Sequence, residues 1–89
     1  MAKINFKQFK MFVDIAHERS VETDARKDFA DAIYGQANGV MALDLAMRIY
    51  KSDGPIEFSD DDLGFLRKFV DGFCSARFID SFEANISND

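Results

Sequence analysis

Residues able to perform nucleophilic or metal chemistry are scarce in this chain of 89 residues. His17 is the only histidine and Cys74 the only cysteine. Nucleophilic catalysis needs a nucleophile, a base and a group that orients the base, and nothing in the spacing of these two residues favours their meeting. A structural zinc site needs about four ligands, mostly nitrogen or sulfur. The sequence therefore predicts neither an enzyme nor a metal centre, and we expect no cofactor.

The segment Asp53–Phe58 resembles the second half of an EF-hand calcium loop. A complete loop requires oxygen ligands at its first, third and fifth positions. With Asp53 as the fifth position, the first and third fall on Ile49 and Lys51, whose side chains offer no oxygen. The segment therefore predicts a turn followed by a capped helix rather than a calcium site.

Acidic residues outnumber basic ones by 16 to 11, which gives a net charge of -5. Binding to a phosphate backbone needs a positive field, so we expect no direct contact with nucleic acid. The acidity is concentrated in residues 28–89, and Asp60, Asp61 and Asp62 would be favoured in a first helical turn by the helix dipole. The candidate acidic surface comprises Asp24, Asp28, Asp31, Asp60, Asp61 and Asp62.

A single cysteine allows no disulfide within the chain, which favours a reducing compartment. No stretch approaches the 18 or more apolar residues of a transmembrane helix, and the N-terminus lacks the apolar core of a signal peptide. Lys3, Lys7 and Lys10 are interpreted as a solvated face rather than a membrane-binding one. We expect a cytoplasmic protein that does not bind membranes.

The apolar periodicity predicts helices, and no segment shows sustained strand alternation. The predicted helix over residues 40–51 has only three polar residues, Asp44, Arg48 and Lys51, so we expect other helices to surround it. The result is an all-α fold, a four- or five-helix orthogonal or bundle-like arrangement in which residues 1–89 form one domain. The predicted helices cover 5–17, 22–36, 40–51, a fourth segment that follows an N-cap at Ser59 and ends at about Cys74, and 76–86 after a cap at Ser75. The extended link Ile56–Phe58 joins the third helix to the fourth. The last two helices are either separate or one bent helix.

The first predicted helix carries two apolar stripes. The wider one, formed by Phe6, Phe9, Phe12, Val13 and Ala16, is sufficient to dock the helix on the rest of the domain. The narrower one, Ile4, Met11 and Ile15, then needs cover, and a twofold dimer would pair it with itself. The alternative is a monomer in which the fifth helix covers this stripe.

These features favour a small acidic protein–protein interaction or adaptor module, of which a regulatory accessory protein is one form. The competing hypothesis is an acidic inhibitor that mimics nucleic acid and occupies the binding surface of a nucleic-acid-binding protein. Size and composition are typical of small accessory proteins from phages, mobile elements and operons. A small enzyme is disfavoured because no catalytic constellation is present.

Overall fold

The structure is a computed structural model that describes residues 2–88 and combines helices with strands. About 53% of the described residues are helical and 17% are strand, so the prediction of an all-α, four- or five-helix domain is wrong. The fold is α+β. In chain order the elements are β1 (Ala2–Ile4), β2 (Phe9–Phe12), β3 (Ser20–Thr23), α1 (Arg26–Gln36), α2 (Val40–Lys51), β4 (Ile56–Phe58), α3 (Asp60–Phe73) and α4 (Ala76–Ala84).

The four strands form two small antiparallel sheets, and β2 with the turns on either side of it occupies the residues where the first helix was predicted. β1 pairs with β4, so that Ile4 lies opposite Ile56. β2 pairs with β3, so that Phe12 lies opposite Ser20. The predicted helix over 5–17 does not exist, and the helix predicted over 22–36 starts later because β3 occupies its beginning.

Side chains distant in sequence explain why this segment is extended. The outer edge of β2 is covered by α4 and the residue that follows it. The Ser81 hydroxyl accepts the Phe12 N–H at 3.0 Å. The Asn85 amide accepts the Lys10 N–H at 3.0 Å and donates to the Lys10 carbonyl at 2.8 Å. The backbone groups at a sheet edge need hydrogen-bond partners, and these side chains provide them without a further strand beside β2.

A turn at Asn5 provides the local part of the explanation. Its side-chain oxygen accepts the backbone N–H groups of Lys7 and Gln8, both at 3.1 Å, which is an alternative to helical hydrogen bonding that asparagine favours. Phe6 in the turn and Phe9 in β2 are both fully buried. A turn followed by a strand therefore buries both rings, although their spacing of three residues is also that of one helix face.

Most element boundaries predicted within residues 40–86 agree with the structure, although α4 ends at Ala84 and not at residue 86. α2 spans the predicted residues 40–51, and Ile56–Phe58 is extended, as β4. Ser59 caps α3 in a capping box with Asp62, and Ser75 caps α4 through the Phe78 N–H. Helices α3 and α4 are separate, which resolves the alternative that the sequence left open.

Aromatic packing joins the elements into one core. The Phe29 ring on α1 lies 5.2 Å from Phe6, 5.3 Å from Phe78 and 6.1 Å from Phe82, measured between ring centroids. Phe69 of α3 meets the same ring edge-on at 6.0 Å. The centre of the aromatic core is therefore on α1, and α2 packs beside it.

Candidate protein-binding surface

Helices α1 and α2 form a hairpin that is closed at both ends. Residues 37–39 connect them, and Gly39 adopts a φ of 102°, a conformation that favours glycine. At the other end Arg26 donates from Nη1 to the Ser52 carbonyl at 2.6 Å. Small residues on the buried sides, Ala30, Ala42 and Ala46, leave room for close helix packing.

The outer side of this hairpin is apolar and exposed. On α2 the spacing of Val40, Leu43, Met47 and Tyr50 is that of one helical face, whereas Ala42, Leu45, Ala46 and Ile49 are buried on the opposite face. Val40 is 84% exposed. Tyr34 of α1, 71% exposed, extends the same surface. We call this set, formed by Tyr34, Val40, Leu43, Met47 and Tyr50, the α1–α2 face.

The expectation that other helices surround α2 is wrong. Apolar residues surround most of this helix, but only some of them pack against the core. The rest faces solvent, as Val40 and Leu43 do. An apolar helix face without a partner in its own domain is typical of a binding surface.

A shallow groove of about 280 Å³ runs along the face between the two helices. Its two tyrosines and one methionine are residue types that contribute strongly to protein interfaces, because they offer large contact area and adaptable packing. The residues that line the groove are Ala30, Asp31, Tyr34, Ala46, Met47 and Tyr50.

Charged side chains border the face. Lys27 and Asp31 form an i, i+4 ion pair at 2.7 Å on α1. On α2, Arg48 lies 3.6 Å from Asp44 and also binds Asp62 at 3.2 Å. Lys51 makes no ion pair within residues 2–88. An apolar centre with a polar rim is the usual anatomy of a protein interface.

The candidate acidic surface is divided among several places and partly neutralised. Asp24 receives two hydrogen bonds from the Arg26 guanidinium, at 2.9 and 2.6 Å, which together with the Arg26 backbone N–H lower the pKa of Asp24 to about 2. Asp31 pairs with Lys27.

Asp62 lies in the capping box of α3. Its partial burial disfavours the charged form, but hydrogen bonds from Arg48 and Ser59 outweigh this effect and lower its pKa. The remaining members of the candidate acidic surface, Asp28, Asp60 and Asp61, are exposed. Half of the predicted carboxylates thus have a basic partner in their own chain.

The three residues of the predicted interface stripe lie on different elements. Ile4 is buried in β1, Met11 is partly buried in β2, and Ile15 is 97% exposed in the loop that follows. The helix that was to align them does not exist. A dimer interface at this end of the chain stays a prediction, and Ile15 is its accessible member.

His17 and Cys74 have separate surroundings. The His17 ring stacks on Phe12 at 3.7 Å and its Nε2 pairs with Asp80. Cys74 ends α3, and its partial burial raises the pKa of the thiol, which favours the unreactive protonated form. Among residues 2–88 no group of three or more histidine, cysteine, aspartate or glutamate side chains is placed to hold a metal ion.

The α1–α2 face was not identified from the sequence, although a signal for it was present. The narrow polar arc of residues 40–51 has two explanations, enclosure by other helices or contact with a partner. Spacing within one helix cannot choose between them, because the choice depends on how many elements remain to cover the helix.

Comparison with protein-family models, with curated proteins and with solved structures finds no match. Within residues 2–88, each helix is too short or too polar to cross a bilayer.

Proposed function

We propose that this protein is a protein–protein interaction module and that the α1–α2 face is its binding surface. The observation that carries the proposal is the concentration of exposed apolar side chains on this hairpin. Of the ten large hydrophobic residues exposed in residues 2–88, five form the face and a sixth, Met41, lies on the opposite flank of α2. Exposed apolar patches of this kind are costly in water and mark interaction sites.

The binding chemistry follows from the composition of the face. Tyr34 and Tyr50 offer flat apolar rings that carry a polar hydroxyl, and Met47, which lines the same groove, adapts to an irregular partner surface. The partner surface expected here is therefore apolar at its centre, with charges of both signs at its edge. The proposed compartment is the cytoplasm, because a single cysteine provides no disulfide.

The nucleic-acid mimic has weaker support. A mimic needs an array of unpaired negative charges, and Asp24, Asp31 and Asp62 have basic partners within the chain. The exposed pair Asp60 and Asp61 offers the best remaining test of that hypothesis.

Site-specific photo-crosslinking in cells of the source organism tests the proposal. Benzoylphenylalanine is placed at Tyr50, which is 55% exposed, and in a matched control at Val21, which is 54% exposed on β3. We expect a discrete adduct from position 50 and none from position 21. Adducts from position 21 alone, or from neither position, would contradict the proposal.

A second variant separates the two functions. The combined changes Asp60→Asn and Asp61→Asn should leave the position-50 adduct unchanged, because these carboxylates belong to α3 and not to the face. Loss of the adduct in this variant would favour the acidic mimic instead.

A further inference from the structure

We propose that a second copy of this chain occupies the α1–α2 face, with the two α2 helices antiparallel across a twofold axis near Met47. The inference rests on the proposed function, because it names the partner of the same surface. It differs from the interface predicted around Ile15, which lies in the loop after β2.

Shape favours a second copy. A twofold axis pairs a patch with itself, so the centre of the face around Met47 meets its own copy without any additional element. Each hairpin buries one side in its own core and exposes the other. Two such hairpins stacked on their exposed sides make four neighbouring helices around an apolar centre, the arrangement of a four-helix bundle.

The charges along α2 select the antiparallel orientation. Asp44 lies in the first half of the helix and Lys51 in its last turn, two turns or about 10 Å apart along the axis. A parallel pair would bring neither charge close to an opposite charge of the other copy. In an antiparallel pair Asp44 of each copy faces Lys51 of the other. The two helix dipoles then run in opposite directions, which is also favourable.

The groups that would resist association are few. Arg48 is already held by Asp62 and by the Glu57 carbonyl, and Lys27 pairs with Asp31 at the rim. The negative charge is concentrated in residues 28–89, and salt screens it beyond about 8–10 Å. Lys51 is exposed and has no ion pair within residues 2–88.

The size of the face sets the expected affinity. A 12-residue helix is about 18 Å long, so the contact is at the small end of specific interfaces, below the roughly 800 Å² per partner of a standard one. We therefore expect a dissociation constant of about 1–100 µM. Light scattering from about 5 to about 500 µM spans this range.

The first test is the mass of the protein in solution. At the highest concentration we expect about twice the chain mass of 10.1 kDa. Met47→Glu should remain at the chain mass, because it sets two carboxylates against each other near the axis. Ile15→Glu, at a side chain that is 97% exposed, should dimerise like the unaltered protein. A dimer that is split by Ile15→Glu and not by Met47→Glu would overturn the proposal.

A charge exchange tests the orientation. Asp44→Lys alone sets two positive charges at each contact, and Lys51→Asp alone sets two negative ones. Each variant by itself should dimerise about tenfold more weakly, a loss of about 1.4 kcal/mol. Mixing the two variants places opposite charges at both contacts, so the mixture should regain the affinity of the unaltered protein.

These outcomes separate the inference from the proposed function. The antiparallel dimer is overturned if the mixture of the two variants dimerises no more tightly than each variant alone. It is also overturned if the unaltered protein is still monomeric at about 500 µM, a concentration above the dissociation constants expected here. In either case a position-50 adduct with a different protein would still support an interaction module. A position-50 adduct of twice the chain mass supports both.

Discussion

Ser81→Ala should destabilise the fold although it removes only one oxygen atom. Ser81 is 0% exposed, and its hydroxyl accepts the Phe12 N–H at 3.0 Å. Alanine at this position leaves the amide of Phe12 at the covered edge of β2 without an acceptor. The side chain is too small for its removal to open a cavity that admits water with several partners.

The magnitude follows from the cost of an unsatisfied buried donor. Such a group costs about 1–3 kcal/mol. A domain of this size has a total stability near the low end of about 5–15 kcal/mol, so the loss is a substantial fraction of the whole. The same substitution at Ser20, which is exposed on β3, should change stability by less than about 0.5 kcal/mol.

Urea unfolding of both variants measures this difference, and hydrogen exchange locates it. In Ser81→Ala the Phe12 amide should exchange faster than the global unfolding accounts for, since β2 loses a contact to α4. A loss below about 0.5 kcal/mol together with unchanged exchange at Phe12 would refute the reasoning and assign the stability of β2 to its pairing with β3.

Three further predictions concern the core, metal binding and pH. Phe69→Ala should lower the free energy of unfolding by about 3–5 kcal/mol, because the Phe69 ring is buried against Phe29. A loss below about 1 kcal/mol in urea unfolding would show that Phe69 is not part of the core. Calcium should leave the protein unchanged, because Ile49 and Lys51 offer no oxygen where a loop needs it; calorimetry that finds a dissociation constant below about 1 mM would contradict this. The pKa of Asp24 should be about 2, lowered from 3.8 chiefly by the Arg26 side chain; its contribution to stability is present above pH 3.8 and lost as the pH falls towards 2. Carboxyl resonances followed by NMR should show this shift abolished in Arg26→Gln.

Local signals predicted the elements whose ends are determined locally. Ser59 and Asp62 predicted the start of α3, because a capping box satisfies helix donors within four residues. Ser75 predicted the start of α4 in the same way. The segment before Ile56 predicted the end of α2, because Pro55 disfavours a helical conformation of the residue before it, and Ile56–Phe58 was predicted as an extended link.

Periodicity failed where two structures satisfy one pattern. Phe6, Phe9 and Phe12 have helical spacing, yet a turn and a strand also bury them. Which structure forms depends on the partners available to the backbone. The Asn85 side chain, near the other end of the chain, binds both the backbone N–H and the carbonyl of Lys10.

The candidate site was missed for a related reason. The sequence shows that residues 40–51 are apolar around most of the helix, but not which side the rest of the chain covers. Once residues 2–23 are strands and turns instead of a helix, one helix fewer is present to pack on α2. Its outer face is then left to solvent, or to a partner.

The amino-acid sequence by itself determined the later helices, their caps, the net negative charge and the scarcity of catalytic groups. These properties depend on residue types and on contacts within a few positions. Only the tertiary structure decided that residues 2–23 contain strands, that Arg48 pairs with Asp62 on another helix, and that one face of α2 is exposed. Each of these depends on groups far apart in sequence, such as Phe12 and Ser81, whose meeting is a property of the packed whole.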